Sequence, residues 1–295
     1  MRRERLVALG SLILVAVVVG AIVIAYAVGS GSGGSRSAAA KGIIGSGRIG
    51  APGTATVPIL MYHVIGAPPP QSSAPPALYV PADEFAREMD ALKAGGWHAV
   101  TLDQLEAYWT RGVPLGPGSP MVITFDRGYA SQYTSALPVL RRLGWVGVEN
   151  LQVNGLSPSD GGLSDAQVRG LIAAGWELDT QGISHADLVT LDSGQLAYEV
   201  TTARQILRSR YGAPVNWYSY PSGDYDATVI AAVRSAGFFG STTVNPGWAS
   251  PQQNRYALPR LQVLSGTTGP QLLARIAAAK ATTSAPSAYT GAGLA

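Results

Sequence analysis

The stretch MVITFDRGY, residues 121–129, decides how the rest of the chain is read. Residues 121–125 are an apolar, β-rich run of the kind that fills a buried parallel strand. The run stops at Asp126, Arg127 and Gly128, and a helical pattern begins near Ala130. An acidic residue at the carboxyl end of a buried strand stands where α/β barrels place their chemistry. Asp also caps helices and opens turns, so the residues alone leave both readings of Asp126 open.

Outward from this strand, apolar runs and amphipathic patterns alternate. VPILM at 57–61 ends in Tyr62 and His63. Residues 66–77 are rich in proline and read as irregular. A helix is expected over 83–93, with Phe85, Met89 and Leu92 on one face. A short strand follows at 97–101. Thr101 and Gln104 have the spacing of a capping box and open the next helix. After the central strand come a helix through Leu140 and a strand at 145–153. Leu163 to Val168 combines a capping box with a hydrophobic staple, and Gly175 ends that helix as a glycine cap. Further strands are expected at 176–180, 215–220, 238–243 and 260–264. Helices are expected at 193–210, 227–235 and 270–280. Strands and helices alternating at this spacing imply a parallel α/β architecture. Seven or eight such units favour a barrel over a short open sheet, although periodicity alone does not separate the two.

Composition narrows the class. The chain has 295 residues, 46% of them hydrophobic and 13% charged, which suits a globular domain plus a membrane segment. The net charge of +3 and the lack of a basic stripe give no reason to expect nucleic acid. There is no cysteine, so disulfides and thiolate metal sites are excluded.

Residues 1–5 carry Arg2, Arg3 and Arg5, and an uncharged run follows over 6–28, long enough to cross a bilayer. The arginines place the N-terminus in the cytoplasm and everything after the run outside. The expectation is an uncleaved transmembrane anchor. The rival is a cleaved signal peptide, since Ala25, Tyr26 and Ala27 have the A-x-A form, and the protein is then secreted. Residues 29–53 are a Gly/Ser-rich linker, residues 54–280 a folded domain, and 281–295 a low-complexity tail expected to be disordered.

ITFDRGY resembles the TFDDGY motif of the polysaccharide deacetylases, the NodB-like domain of carbohydrate esterase family four. The resemblance runs from about Val57 to Ala278. VPILMYH at 57–63 and LPRLQV at 258–263 look like the first and last strands of the membrane-linked, exopolysaccharide-modifying branch. The resemblance implies an irregular (β/α) barrel and a metal-dependent N-deacetylase acting on an N-acetylated polysaccharide or peptidoglycan. Such an enzyme holds a divalent ion, usually zinc, with three ligands and open positions for water. The ion polarises the acetyl carbonyl and acidifies the water, and a carboxylate takes the proton.

In the family the first Asp of the motif is the base and the second a metal ligand. Asp126 matches the base, and Arg127 stands at the ligand position. The histidine ligands lie in an H-[ST]-x-x-H stretch. QGISHADL at 181–188 matches it, with His185 at the second histidine and Gln181 replacing the first. Arg127 has no lone pair to offer, and an amide oxygen is a poor zinc donor. Asp179, two residues before Gln181, shares its face if the strand is regular and is the candidate substitute ligand with His185. Otherwise zinc is absent here, and the protein is an impaired enzyme, a silent module that binds an N-acetylated envelope glycan or a protein partner, or a metal-free hydrolase using Asp126 and His185. Arg127 is then expected to pair with Asp126 or Asp179. His63, at the end of the first strand, is a further pocket candidate. WYSYPSG at 217–223 resembles the motif that forms one wall of the groove, with the family's arginine replaced by Ser219. By that resemblance Pro221 and the Ser222 N–H line the wall. Trp217, Tyr220 and Trp248 are candidate sugar-stacking residues.

Overall fold

The computed structural model describes residues 50–68, 74–156, 161–281 and 285–291. The expected membrane segment at 6–28 lies outside them. Among the described residues no helix is long and apolar enough to cross a membrane.

The strands run β1 Val57–Tyr62, β2 Val64–Ile65, β3 Tyr79–Val80, β4 Trp97–Val100, β5 Ser119–Arg127, β6 Val148–Leu151, β7 Glu177–Thr180, β8 Trp217–Ser219, β9 Gly240–Thr242, β10 Trp248–Ala249 and β11 Leu261–Gln262. The helices are α1 Ala82–Ala94, α2 Leu102–Arg111, α3 Leu137–Leu143, α4 Asp165–Ala173, α5 Ser193–Ala197, α6 Ala203–Tyr211, α7 Ala227–Ser235 and α8 Gly269–Ala279. The single helix expected at 193–210 is α5 and α6 joined through a π turn, Tyr198–Thr202. The proline-rich stretch after His63 contains a 3-10 turn, Pro76–Leu78, between the paired short strands β2 and β3.

The large sheet is parallel in the order β1-β5-β6-β7-β8-β9, with β10 antiparallel against the start of β1. The segment leading into β11 makes a parallel bridge from Leu258 to Thr242 of β9, and Leu261 pairs with Leu60 of β1. The curled sheet is thereby brought back towards its first strand, in keeping with an α/β barrel of irregular form.

Alternation along β5 explains the layers. Met121, Ile123 and Phe125 face outward into a core with Phe85, Met89 and Leu92 of α1, Leu140 of α3 and Leu272 and Ile276 of α8. Each of these side chains is fully or almost fully buried, worth about 1.5–3 kcal/mol apiece. The alternate residues point the other way. Val122 joins Val57, Ile59, Val148, Trp217 and Leu258 in a second apolar cluster. Above that floor come the polar residues Thr124 and Asp126, towards the carboxyl ends of the strands.

The capping boxes at Thr101–Gln104 and Ser164–Gln167 form with both reciprocal hydrogen bonds. Thr101→Ala should therefore cost about 1 kcal/mol in urea unfolding. No change at all would mean that the α2 start is held by Asp103 alone, whose N–H donates to Glu177.

Both ends of the domain need correction. Residues 50–55, assigned mostly to the linker, dock on α2: Gly50 and Gly53 donate to Arg111 and Tyr108, and the Trp109 indole donates to the Ala55 carbonyl. Part of the tail is also ordered. Tyr225 and Tyr289 exchange backbone hydrogen bonds, and the Tyr225 hydroxyl donates to Pro286 O at 2.6 Å. Low-complexity composition concealed one tyrosine with a specific partner.

Candidate functional site

The site is built at the carboxyl ends of β1, β5, β6, β7 and β8. Asp126 lies at the centre, fully buried. Its carboxylate is held by a bidentate pair with Arg260, at 2.8 Å from each guanidinium nitrogen. Asn150 of β6 donates to Oδ1 at 2.8 Å, while Ser219 and the Gln181 amide lie at 3.4 and 3.5 Å from Oδ2. Arg260 is also fully buried and donates to Thr124 Oγ1 and the Thr243 carbonyl. Burial by itself would raise the Asp126 pKa. The charge and hydrogen bonds of Arg260 outweigh it and hold the carboxyl below its usual range.

The Gln132 amide donates to the backbone carbonyls of both His63 and Asp126, at 2.9 Å each, and ties the ends of β1 and β5 together. His63 is buried with neither ring nitrogen hydrogen-bonded, and the His185 Nε2 is likewise buried without a partner. Burial lowers both imidazoles to about 4. The Asp126 charge opposes this at each ring and the Arg127 charge reinforces it, so both charges are felt by both imidazoles. Both rings are neutral near pH 7.

Backbone strain marks the same place. Among the described residues four non-glycine residues have left-handed φ, and three of them are Arg127 (76°), His185 (62°) and Ser222 (53°). Such residues concentrate where surrounding structure enforces a functional geometry. Glu199 clamps the His185 loop: its carboxylate accepts from the Ile183 and Ser184 N–H groups and from the Ser184 hydroxyl.

Several expected site residues are placed elsewhere. Asp179 is not beside His185. Its Oδ1 accepts from the N–H groups of Asn216 and Trp217, at the start of β8. There it adjoins Glu177 and Asp103. Burial foremost, with the Asp103 charge, pushes its pKa up to about 7, against the opposing hydrogen bonds of Glu177 and the two amides. β7 ends at Thr180, so Gln181 lies beyond the regular strand and does not share a face with Asp179 by strand alternation. Trp217 is buried in the apolar floor with its indole on Asp103, and Tyr220 is buried with its hydroxyl on the Tyr256 carbonyl. Trp248 lies beside Pro58, at the opposite end of β1 from His63, and its indole donates to Ile276. None of the three offers a free sugar-stacking face at the site. Pro221 and Ser222 stay on the turn after β8, close to Ser219 and so to Asp126. The pairing expected between Arg127 and an aspartate is also overturned, because Arg260 takes Asp126. The sequence pattern places Arg260 in the last strand and shows no partner for it. A lone arginine in an apolar strand needs a buried acid, and that was the overlooked signal.

The Asp179 carboxyl makes a test. Its raised pKa means that the folded state holds a proton the unfolded chain has released. Stability is then fully present below about pH 4 and falls as pH rises towards 7. Asp179→Asn keeps an acceptor for both N–H groups and can donate to Glu177. Its urea midpoint should exceed the parent's at pH 8 and match it more closely at pH 5. A loss at both pH values would contradict the assignment.

The donor set does not fit the family's zinc. Arg127 offers no lone pair, Asp126 has both oxygens engaged by Arg260, and Gln181 turns its amide nitrogen towards Asp126. Among the described residues no group of three His, Cys, Asp or Glu side chains could hold a metal ion.

With this geometry in view, comparisons with known proteins agree on the family. Residues 116–240 match the family described as polysaccharide deacetylase. YxkH of Bacillus subtilis (strain 168), named as a polysaccharide deacetylase, is 29% identical over 216 residues, 73% of this chain and 74% of that protein. The Streptococcus pyogenes deacetylase PplD, solved with acetate, superposes with a TM-score of 0.69 at 22% identity. The match covers 76% of this chain and all but 1% of that one (99%). BC0361, a polysaccharide deacetylase from Bacillus cereus, superposes with a TM-score of 0.66 at 23% identity over 76% and 69% of the two chains. At these identities the superpositions speak to the fold. These matches support a polysaccharide deacetylase domain of the NodB-like type in this chain.

Proposed function

We propose that this protein is a membrane-anchored, extracytoplasmic member of the family that engages an N-acetylated envelope glycan without competent zinc-dependent hydrolysis. The observation that carries the reading is the pair of replaced ligand positions, Arg127 and Gln181, around an Asp126 already neutralised by Arg260. The anchor rests on the arginine-flanked apolar run at 6–28. The alternative is an active enzyme with a metal held by Asp126, Asp179 and His185. It is disfavoured by Asp179, which is committed to the amides at the start of β8.

The test is acetate release from N-acetylglucosamine oligomers by the full chain, with added zinc and with chelator. Release at the uncatalysed rate in both arms is expected. A zinc-dependent rate that chelator abolishes would replace this reading with the altered-metal enzyme.

A further inference from the structure

The charge balance of the site leads beyond loss of the metal. Asp126 and Arg260 cancel as a buried bidentate pair. Glu199 is occupied by the His185 loop, and Asp179 faces Glu177 and the start of β8. Glu149, on the neighbouring strand, is buried with neither carboxylate oxygen partnered, so it does not pair with Arg127, and burial followed by the Asp126 charge raises its carboxyl well above the usual range. Arg127 is left over. It is only partly buried, its Nε is buried without an acceptor, and among the described residues it has no ion-pair partner. A partly desolvated guanidinium with no counter-charge is costly unless something supplies one.

We infer that the position where the family holds a cation is an anion receptor here, with Arg127 receiving the carboxylate of an acidic sugar residue. The guanidinium fork matches the two oxygens of a carboxylate. His63 and His185, with buried and unused ring nitrogens, can each add one N–H donor to the carboxylate. One unpaired positive charge suits a monoanion better than a phosphate monoester carrying close to two. Glycans offer such a group as a uronic acid carboxylate or as the lactyl carboxylate of a muramic acid residue. The inference rests on the proposed glycan-binding function and names the residue that is recognised.

The experiment is calorimetric titration of the full chain with four disaccharides and with sodium acetate. The disaccharides are glucuronate–N-acetylglucosamine, N-acetylglucosamine–N-acetylmuramate, the methyl ester of whichever acid binds, and neutral chitobiose. At least one acid should bind at least about tenfold tighter than its own ester, the scale of one charge-assisted pair. Which acid does so separates the two sources. The preference should shrink as salt is raised and vanish in Arg127→Gln, while Arg127→Lys keeps part of it. The His63 and His185 ring resonances should shift with the acid and not with the ester. Equal affinity for acid and ester, acetate binding as tightly as the sugars, or a preference that survives in Arg127→Gln would each overturn the inference. Should Arg127→Gln fail to fold, the salt dependence and the ester comparison on the native chain decide. Chitobiose binding as well as the acids would remove this inference and leave the glycan reading standing, whereas binding of no sugar would remove both.

Discussion

Arg260→Met should destabilise the domain by about 3–5 kcal/mol, the cost of leaving one buried charge without its partner. In a domain of this size that lowers the thermal midpoint by roughly 10 °C or more. The substitution leaves the Asp126 carboxylate fully buried and removes its two 2.8 Å bonds to the guanidinium. The pH dependence should change sign as well. In the parent the Asp126 pKa is depressed, so the stability from the pair is present above about pH 4 and lost as pH falls through the lower folded value. In Arg260→Met only burial and weaker bonds from Asn150 and its neighbours remain. The carboxyl pKa then rises, and stability falls as pH climbs above about 4. Adding Asp126→Asn to Arg260→Met should recover much of the loss by removing the orphaned charge. If Arg260→Met alone unfolds near the parental midpoint, the buried pair is not what holds this end of the barrel.

Arg127→Asp combined with Gln181→His should let the chain bind about one zinc ion, the complement of a three-ligand site with open positions, where the proposed reading expects none in the parent. The two substitutions supply the missing donors beside His185, whose Nε2 is buried and unpartnered. Local backbone favours the change, because Arg127 sits at φ 76° and Asp tolerates left-handed geometry better than Arg. Asp126 remains ionised but keeps both oxygens on Arg260, so the acetate release from N-acetylglucosamine oligomers that appears with the metal should be slow. Zinc binding without turnover would place the defect beyond the two ligand positions. No zinc binding would mean that His185 does not face them.

The elements whose signals are local could be read from the sequence. The capping boxes, the Phe85–Met89–Leu92 face and the apolar runs of β1 and β5 involve neighbours within a turn or a strand, and they form as expected. What escaped depends on pairings that no local pattern encodes. Arg260 meets Asp126 across 134 positions. Asp179 and Gln181 part company where β7 ends, one residue too early for strand alternation to join them. Trp217 and Tyr220 look like sugar platforms by type, yet the acceptors on Asp103 and Tyr256 take their polar ends and the rings are buried. The tail pairing of Tyr289 with Tyr225 is likewise set by a distant edge.

The most direct test of the central claim is the zinc content of the full chain, purified without chelator and then equilibrated with excess zinc before desalting. Elemental analysis should give far less than one zinc per chain, because Arg127 occupies one ligand position and Gln181 turns its amide nitrogen to Asp126 at the other. One tightly held zinc per chain, lost together with a measurable acetate release when chelator is added, would contradict the account.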